Sequence, residues 1–247
     1  PELEPERADT TTIGVVWEPS FASGLSMSVD YYDIDLQDAI GSLGGQNIVS
    51  GCYGRSPFTA PQPELCDLIS RDPTTGVITN VNNQTLNLAY IQTSGVDMEV
   101  DYRFALSSIP GTWSVRLLGT YLNNFDENNG IVTVDRAGQL GNSQWRVTGS
   151  TTWATGPVSL FLQLRYIDAA HIDNTYGPND IYDNHVPSRI YVNGSAQYTL
   201  FDSEARGRLQ VFGNINNILD QDPPIIPSAS AAPGQTTLAP DYDKIGR

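Results

Sequence analysis

Asp97, Glu99 and Asp101 stand at alternate positions of the stretch GVDMEVDYRF, with Arg103 continuing the series. Neighbouring carboxylates are the raw material of general acid/base chemistry, in which one is kept protonated beside an ionised partner. Further on, His171 and His185 share a segment with Asp168, Asp173, Asp180 and Asp183, residue types able to touch a metal or a ferric ligand. Cys52 and Cys66 sit in a segment rich in Gly, Pro and Ser. Two Cys with no nearby His cannot complete a four-ligand metal site. They read as a disulfide closing a loop of about 15 residues, worth roughly 3 kcal/mol in the chain-entropy model. Such a bond favours an oxidising compartment; a pair of free thiols is the alternative. The sequence contains no Gly-rich phosphate loop, HExxH or GxSxG. No catalytic residue, resident metal or cofactor is therefore expected, and the chain does not read as an enzyme.

The element that positions the carboxylates explains them more simply. Val96, Met98, Val100, Tyr102 and Phe104 alternate with Asp97, Glu99, Asp101 and Arg103, the pattern of a strand with one apolar and one charged face. The pattern recurs at Ile13 to Trp17, Leu25 to Tyr31, Trp113 to Tyr121, Trp145 to Trp153, Val158 to Tyr166, Ile190 to Leu200 and Leu209 to Ile215. The phase slips after Tyr31, where Tyr32, Ile34 and Leu36 become the apolar set; a bulge or an exit from the buried zone would do this. About eight strands result, several near the 9 to 11 residues that cross a bilayer at a tilt. No Asp, Glu, Lys or Arg falls on the apolar face, in a chain 17% charged. A protein core and a lipid bilayer would both impose that exclusion.

The connections separate the two. Trp17 to Leu25, Leu106 to Thr112, Ala154 to Val158 and Leu200 to Arg208 are short and carry turn residues. Between them run long links, about 50 residues from Asp38 to Leu88 and about 20 each from Asn123 to Asn142 and Ala170 to Arg189, the alternation of an outer-membrane barrel. Trp17, Phe104, Trp113, Trp153 and Tyr198 lie beside the short turns, and Tyr31, Tyr121, Trp145 and Tyr166 lie toward the long links. Two aromatic belts match the interfacial girdles of such a barrel. The net charge of −15 argues against nucleic acid as a partner, which calls for a basic footprint.

Several stretches resemble the C-terminal half of a TonB-dependent outer-membrane receptor: PELEPERADTTTIGVVWEP, SVDYYDIDLQDAI, QTSGVDMEVDYRF and VFGNINNILDQDPP, in that order, with DYDKIGR similar to the segment before the family's last strand. The segment CYGRSPFTAPQPELCDLISRDPTTGVITNV resembles a Cys-bearing extracellular loop of the family. The resemblance implies an all-β, antiparallel transmembrane barrel of about twenty-two strands, of which residues 1–247 supply about eight. The chain opens with Pro1 and lacks a signal-peptide pattern. With neither a plug nor a TonB-contacting box found, it reads as a fragment of the barrel that stops one strand short.

The resemblance further implies energised uptake of a scarce, bulky nutrient across a Gram-negative outer membrane, a ferric siderophore first and a carbohydrate next, with TonB reached through the plug. A passive small barrel or porin, and a soluble β-sandwich binding module, are the alternatives. In this frame Asp97, Glu99, Asp101, Arg103, Arg116, Arg146 and Arg165 are expected to face the lumen as a hydrated charge lattice. Tyr53, Arg55, Asp126, His171, Tyr176, Tyr182 and His185 are expected in ligand-contacting loops.

Overall fold

The computed structural model describes residues 3–55, 58–204, 207–227, 236–239 and 242, the side chains of Leu88, Thr236 and Leu238 excepted. Eight strands form one sheet in strict chain order: β1 (Arg7–Trp17), β2 (Leu25–Ser42), β3 (Thr85–Leu106), β4 (Ile109–Asn128), β5 (Trp145–Thr155), β6 (Val158–Ile167), β7 (Arg189–Ser203) and β8 (Gly207–Ile215). A short ninth strand, Thr133–Asp135, pairs with the end of β4. The eight long strands are the eight that alternation and turn chemistry predict. Register from β4 to β8 is antiparallel throughout.

Strand length departs from expectation. β2, β3 and β4 have 18, 22 and 20 residues, well beyond a bilayer crossing. Beyond the segments that alternation marks, the apolar set changes phase in β2, at Tyr32, Ile34 and Leu36, and gives way in β4 to Asn123, Asn124, Asp126, Glu127 and Asn128. The chain divides into two compact units, residues 1–11, 33–93 and 124–136 in the first, and 12–32, 94–123 and 137–247 in the second. β2 runs unbroken through the phase slip and changes unit between Tyr32 and Asp33, where the slip occurs.

In the second unit the apolar face of the sheet is exposed. Leu160, Leu162, Leu164, Val211 and Ile215 have 40 to 64% of their surface accessible, values no protein core would give to a row of leucines. Two aromatic groups bracket this band. Tyr102, Phe104, Trp113 and Trp153 form a chain of ring contacts with centroids 4.7, 6.4 and 6.1 Å apart, and Tyr121 meets Trp145 at 4.8 Å. The buried cluster lies elsewhere, in Ile167, Ala170, Val186, Tyr191, Ile226, Ala239 and Tyr242. It anchors the long links. Gly95 is required by close approach, since a Cβ there would sit 2.5 Å from both the Tyr32 hydroxyl and the Tyr121 carbonyl oxygen.

In the first unit the link after β2 is structured. It contains helices Gly45–Cys52 and Pro63–Cys66 and a hairpin of Ile69–Arg71 with Ile78–Val81. Ile48 is buried, and Gly51 leaves room for the side chains of Leu65 and Phe58, into which a Cβ would run. Cys52 and Cys66 are joined in a disulfide with Cα atoms 4.8 Å apart.

Candidate functional site

The charged face and the long links hold the candidate residues. On the charged face, the Arg116 guanidinium donates to Glu99 at 2.5 Å and lies 3.8 Å from Asp101. Asp97 accepts from the Thr120 hydroxyl at 2.7 Å. Each carboxylate is thus compensated by a cation or hydroxyl on the adjacent strand, the opposite of the unbalanced pair that acid/base catalysis needs. Arg103 makes no ion pair among the described residues. Arg146 turns to the Gly141 carbonyl instead. Arg165 lies 5.2 Å from the centre of the Tyr191 ring, its cross-strand partner. The charges thus form a compact group around Arg116, while Arg146 holds the link at Gly141 and Arg165 lies over Tyr191 across the β6–β7 pair.

In the structured link of the first unit, Tyr53 is hydrogen-bonded by Arg71, whose guanidinium carbon lies 5.7 Å from the ring centre. Arg71 also donates to the Gly76 carbonyl at 2.8 Å. The turn it braces is organised by Asp72, whose Oδ1 accepts from the Thr74 and Thr75 amides at 2.9 and 2.7 Å and from the Thr75 hydroxyl at 3.0 Å. These bonds, the Thr75 amide first, hold the Asp72 carboxyl below its ordinary value of 3.8. Arg55 is exposed nearby in sequence, and Asp126 belongs to this unit, as cross-strand partner of Asp135.

The second unit brings His171, His185 and Tyr176 together. Ala170–His171 and His185–Val186 form a two-rung antiparallel ladder in which Ala170 faces Val186 and His171 faces His185. Ala170 and Val186 are buried at 4 and 1% exposure. Strand alternation therefore sends the two histidines to the other side. Both histidines line a cavity of about 570 Å³, to which Ala170, Gln144, Asn174, Tyr176 and Asn184 also contribute. The walls are fixed by backbone bonds from His171 N to Gly138 O and from Leu140 N to His171 O, at 2.8 and 2.7 Å. Asn184 clamps the connecting loop, accepting from Asp173 N at 3.1 Å and donating to Asp173 O at 2.8 Å. Tyr182 is fully exposed and does not line this cavity. Gln144, Asn174 and Asn184 were not legible as site residues, since a carboxamide in a polar loop gives no pattern.

The chain matches the family model described as TonB dependent receptor-like, beta-barrel, over residues 1–218. It belongs to the TonB-dependent receptor β-barrel family. A search of curated proteins finds no match. Among solved structures, the ferripyoverdine receptor of the outer membrane of Pseudomonas aeruginosa, bound to ferripyoverdine, is similar at 17% identity and TM-score 0.55, covering 90% of this chain and 24% of that one. The FrpB iron transporter of Neisseria meningitidis (F3-3 variant) is similar at 13% and 0.51, with 89 and 28% covered. A mutant of the ferric enterobactin receptor PfeA of Pseudomonas aeruginosa is similar at 15% and 0.56, with 88 and 26% covered. The chain thus spans about a quarter of the length of these receptors. A TonB-dependent receptor barrel is an antiparallel transmembrane sheet with short periplasmic turns, long extracellular loops and an outward apolar band that faces lipid. The family is one of receptors and transporters, and not of enzymes.

Proposed function

We infer that this chain is the C-terminal portion of the barrel of an outer-membrane receptor that captures a scarce, bulky nutrient outside a Gram-negative cell and admits it by TonB-dependent, energised transport. The observation that carries this reading is the combination, within one unit, of an apolar face exposed between two aromatic groups and a polar cavity built by the long links. The first supports a lipid-facing wall; the second supports ligand capture beyond it. A ferric siderophore is the favoured cargo, in keeping with the ferripyoverdine and ferric enterobactin receptors to which the fold is similar. Carbohydrate is the second reading. It draws on the carboxamides and Tyr176 around the cavity, groups that suit sugar hydroxyls as well as siderophore oxygens.

The barrel would supply the wall and the capture loops, and a plug domain would supply the gate and the contact with TonB. Asp97, Glu99, Asp101 and Arg116 would line the lumen against that plug. The test is uptake of radiolabelled iron by cells carrying or lacking the intact gene, supplied as a panel of ferric siderophores, with and without a protonophore. Gene-dependent uptake abolished by the protonophore is expected. Uptake that survives it would mean a passive pore, and a protein recovered folded in the aqueous fraction without detergent would end the membrane reading.

A further inference from the structure

His171 and His185 are direct cross-strand partners, and both line the same cavity. Opposed residues of an antiparallel pair hold their Cβ atoms about 4.5 to 5.5 Å apart. That is close enough for two imidazoles to converge on one ion at metal–nitrogen distances of about 2.0 to 2.1 Å. Three features make the pair a built arrangement. The rung beneath it, Ala170 with Val186, is locked in the buried cluster. The loop between the histidines is clamped by Asn184. Neither imidazole makes a hydrogen bond among the described residues, so the ring nitrogens are open to the cavity.

The surrounding carboxylates do not add a third ligand. Asp168 accepts from the Tyr166 hydroxyl and the Ala169 amide at 2.6 and 2.8 Å. Asp173 accepts from the amide and hydroxyl of Thr175, Asp180 from the Gly177 amide and Asp183 from the His185 amide. All four are engaged in holding the loops. Among the described residues no group of three or more His, Cys, Asp and Glu could hold a metal. A two-nitrogen site is therefore what this cavity offers.

We propose that His171 and His185 together bind one late first-row divalent metal ion, Cu²⁺ most strongly, with Ni²⁺ and Zn²⁺ weaker. Imidazole nitrogen selects these ions over Ca²⁺ and Mg²⁺, and affinity follows the Irving–Williams order. Two protein donors leave coordination positions free, and the cavity gives room for a small chelator to fill them. A divalent metal held by a small amino-acid or hydroxy-acid chelator that leaves two positions open would thus be a further ligand of this cavity, beside the ferric siderophore proposed above. Gln144, Asn174 and Tyr176 would meet the chelator. The ligand assignment rests on the cavity belonging to a capture surface, as proposed above; the binding of the ion does not.

The experiment is a Cu²⁺ titration of the intact receptor in detergent, buffered with glycine and followed by electron paramagnetic resonance. The H171Q, H185Q and double variants are compared with the parent. Both positions are exposed, so the variants should retain the heat-modifiable migration of the folded barrel. Expected is one Cu²⁺ with a two-imidazole signature, which either substitution weakens ~10-fold or more and reduces to a one-imidazole signature, and which the double variant loses. Ca²⁺ should not compete. Unchanged affinity in either single variant, a two-imidazole signature that survives a single substitution, binding retained in the double variant, or displacement by Ca²⁺ would overturn the proposal. The measurement needs no transport, so its failure would leave the import reading standing.

Discussion

Arg116 on β4 donates to Glu99 on β3 at 2.5 Å, on the face of the sheet opposite Trp113 and Leu117. The two side chains are 54 and 38% exposed, so water screens the pair. A double-mutant cycle with R116Q and E99Q, read by urea unfolding in lipid, should give a coupling of about 1 kcal/mol or less. A value several times larger would mean that this face is drier than its exposure indicates.

The two faces of β6 should respond oppositely to the same charge. Leu162 lies on the exposed apolar band and Gln163 on the polar face, where it accepts from Asn193 at 3.3 Å. L162R should cost about 2 to 4 kcal/mol if Leu162 sits near the bilayer midplane, whereas Q163R should stay within about 1 kcal/mol. Comparing the two in lipid vesicles by urea unfolding checks this. Equal costs would contradict the assignment of faces.

Loss of the Cys52–Cys66 bond should act locally. C52S or C66S should destabilise the link between β2 and β3 by roughly 3 kcal/mol in the chain-entropy model. Limited proteolysis should then cut between Gly45 and Val81 while the sheet stays intact. Thiol labelling of the unreduced, denatured protein should find neither cysteine free.

Asp72 sets a pH dependence whose sign follows from its bonds. Its folded value lies below 3.8 because the ionised carboxylate accepts from Thr74 and Thr75. The stabilisation of this turn is therefore fully present above about 3.8 and disappears as pH falls through the lower folded value. Hydrogen exchange at the Thr74 and Thr75 amides should accelerate over that acidic window in the parent. In D72N, which cannot ionise, no such window should appear.

Filling the close approach at Gly95 should be costly. The new Cβ of G95A would lie 2.5 Å from the Tyr32 hydroxyl and the Tyr121 carbonyl, and overpacking of this kind costs about 1 to 3 kcal/mol. G213A, whose added Cβ would meet no atom within 4 Å, is the control and should be nearly neutral by urea unfolding in lipid.

Much of the wall was legible because its signal is local. Alternation at Val96 to Phe104 or Val158 to Tyr166 reports strand and face within a few residues, and Pro, Gly and Asp mark the turns between. The two aromatic groups were legible for the same reason, since Phe104, Trp113 and Trp153 stand beside short turns and Tyr121 and Trp145 beside a long link. The full lengths of β2 to β4 were not, because the apolar set changes phase after Tyr31 in β2 and gives way to Asn123, Asn124, Asp126 and Glu127 in β4. The site was legible only in part. His171, His185 and Tyr176 stood out by type, but nothing in a polar loop singles out Asn184 as its clamp or Gln144 as a wall.

The order of side chains along the chain thus determined the eight strands, the face each presents, the alternation of short and long links, and through these the family. Partners distant in sequence needed the tertiary structure: Arg116 with Glu99, Arg165 with Tyr191, and His171 with His185. The physical reason is register. Which residue faces which across two strands depends on how loops of many residues close and on what lies buried beneath them. At His171 and His185 that closure is fixed by Ala170 and Val186, one rung away in the core.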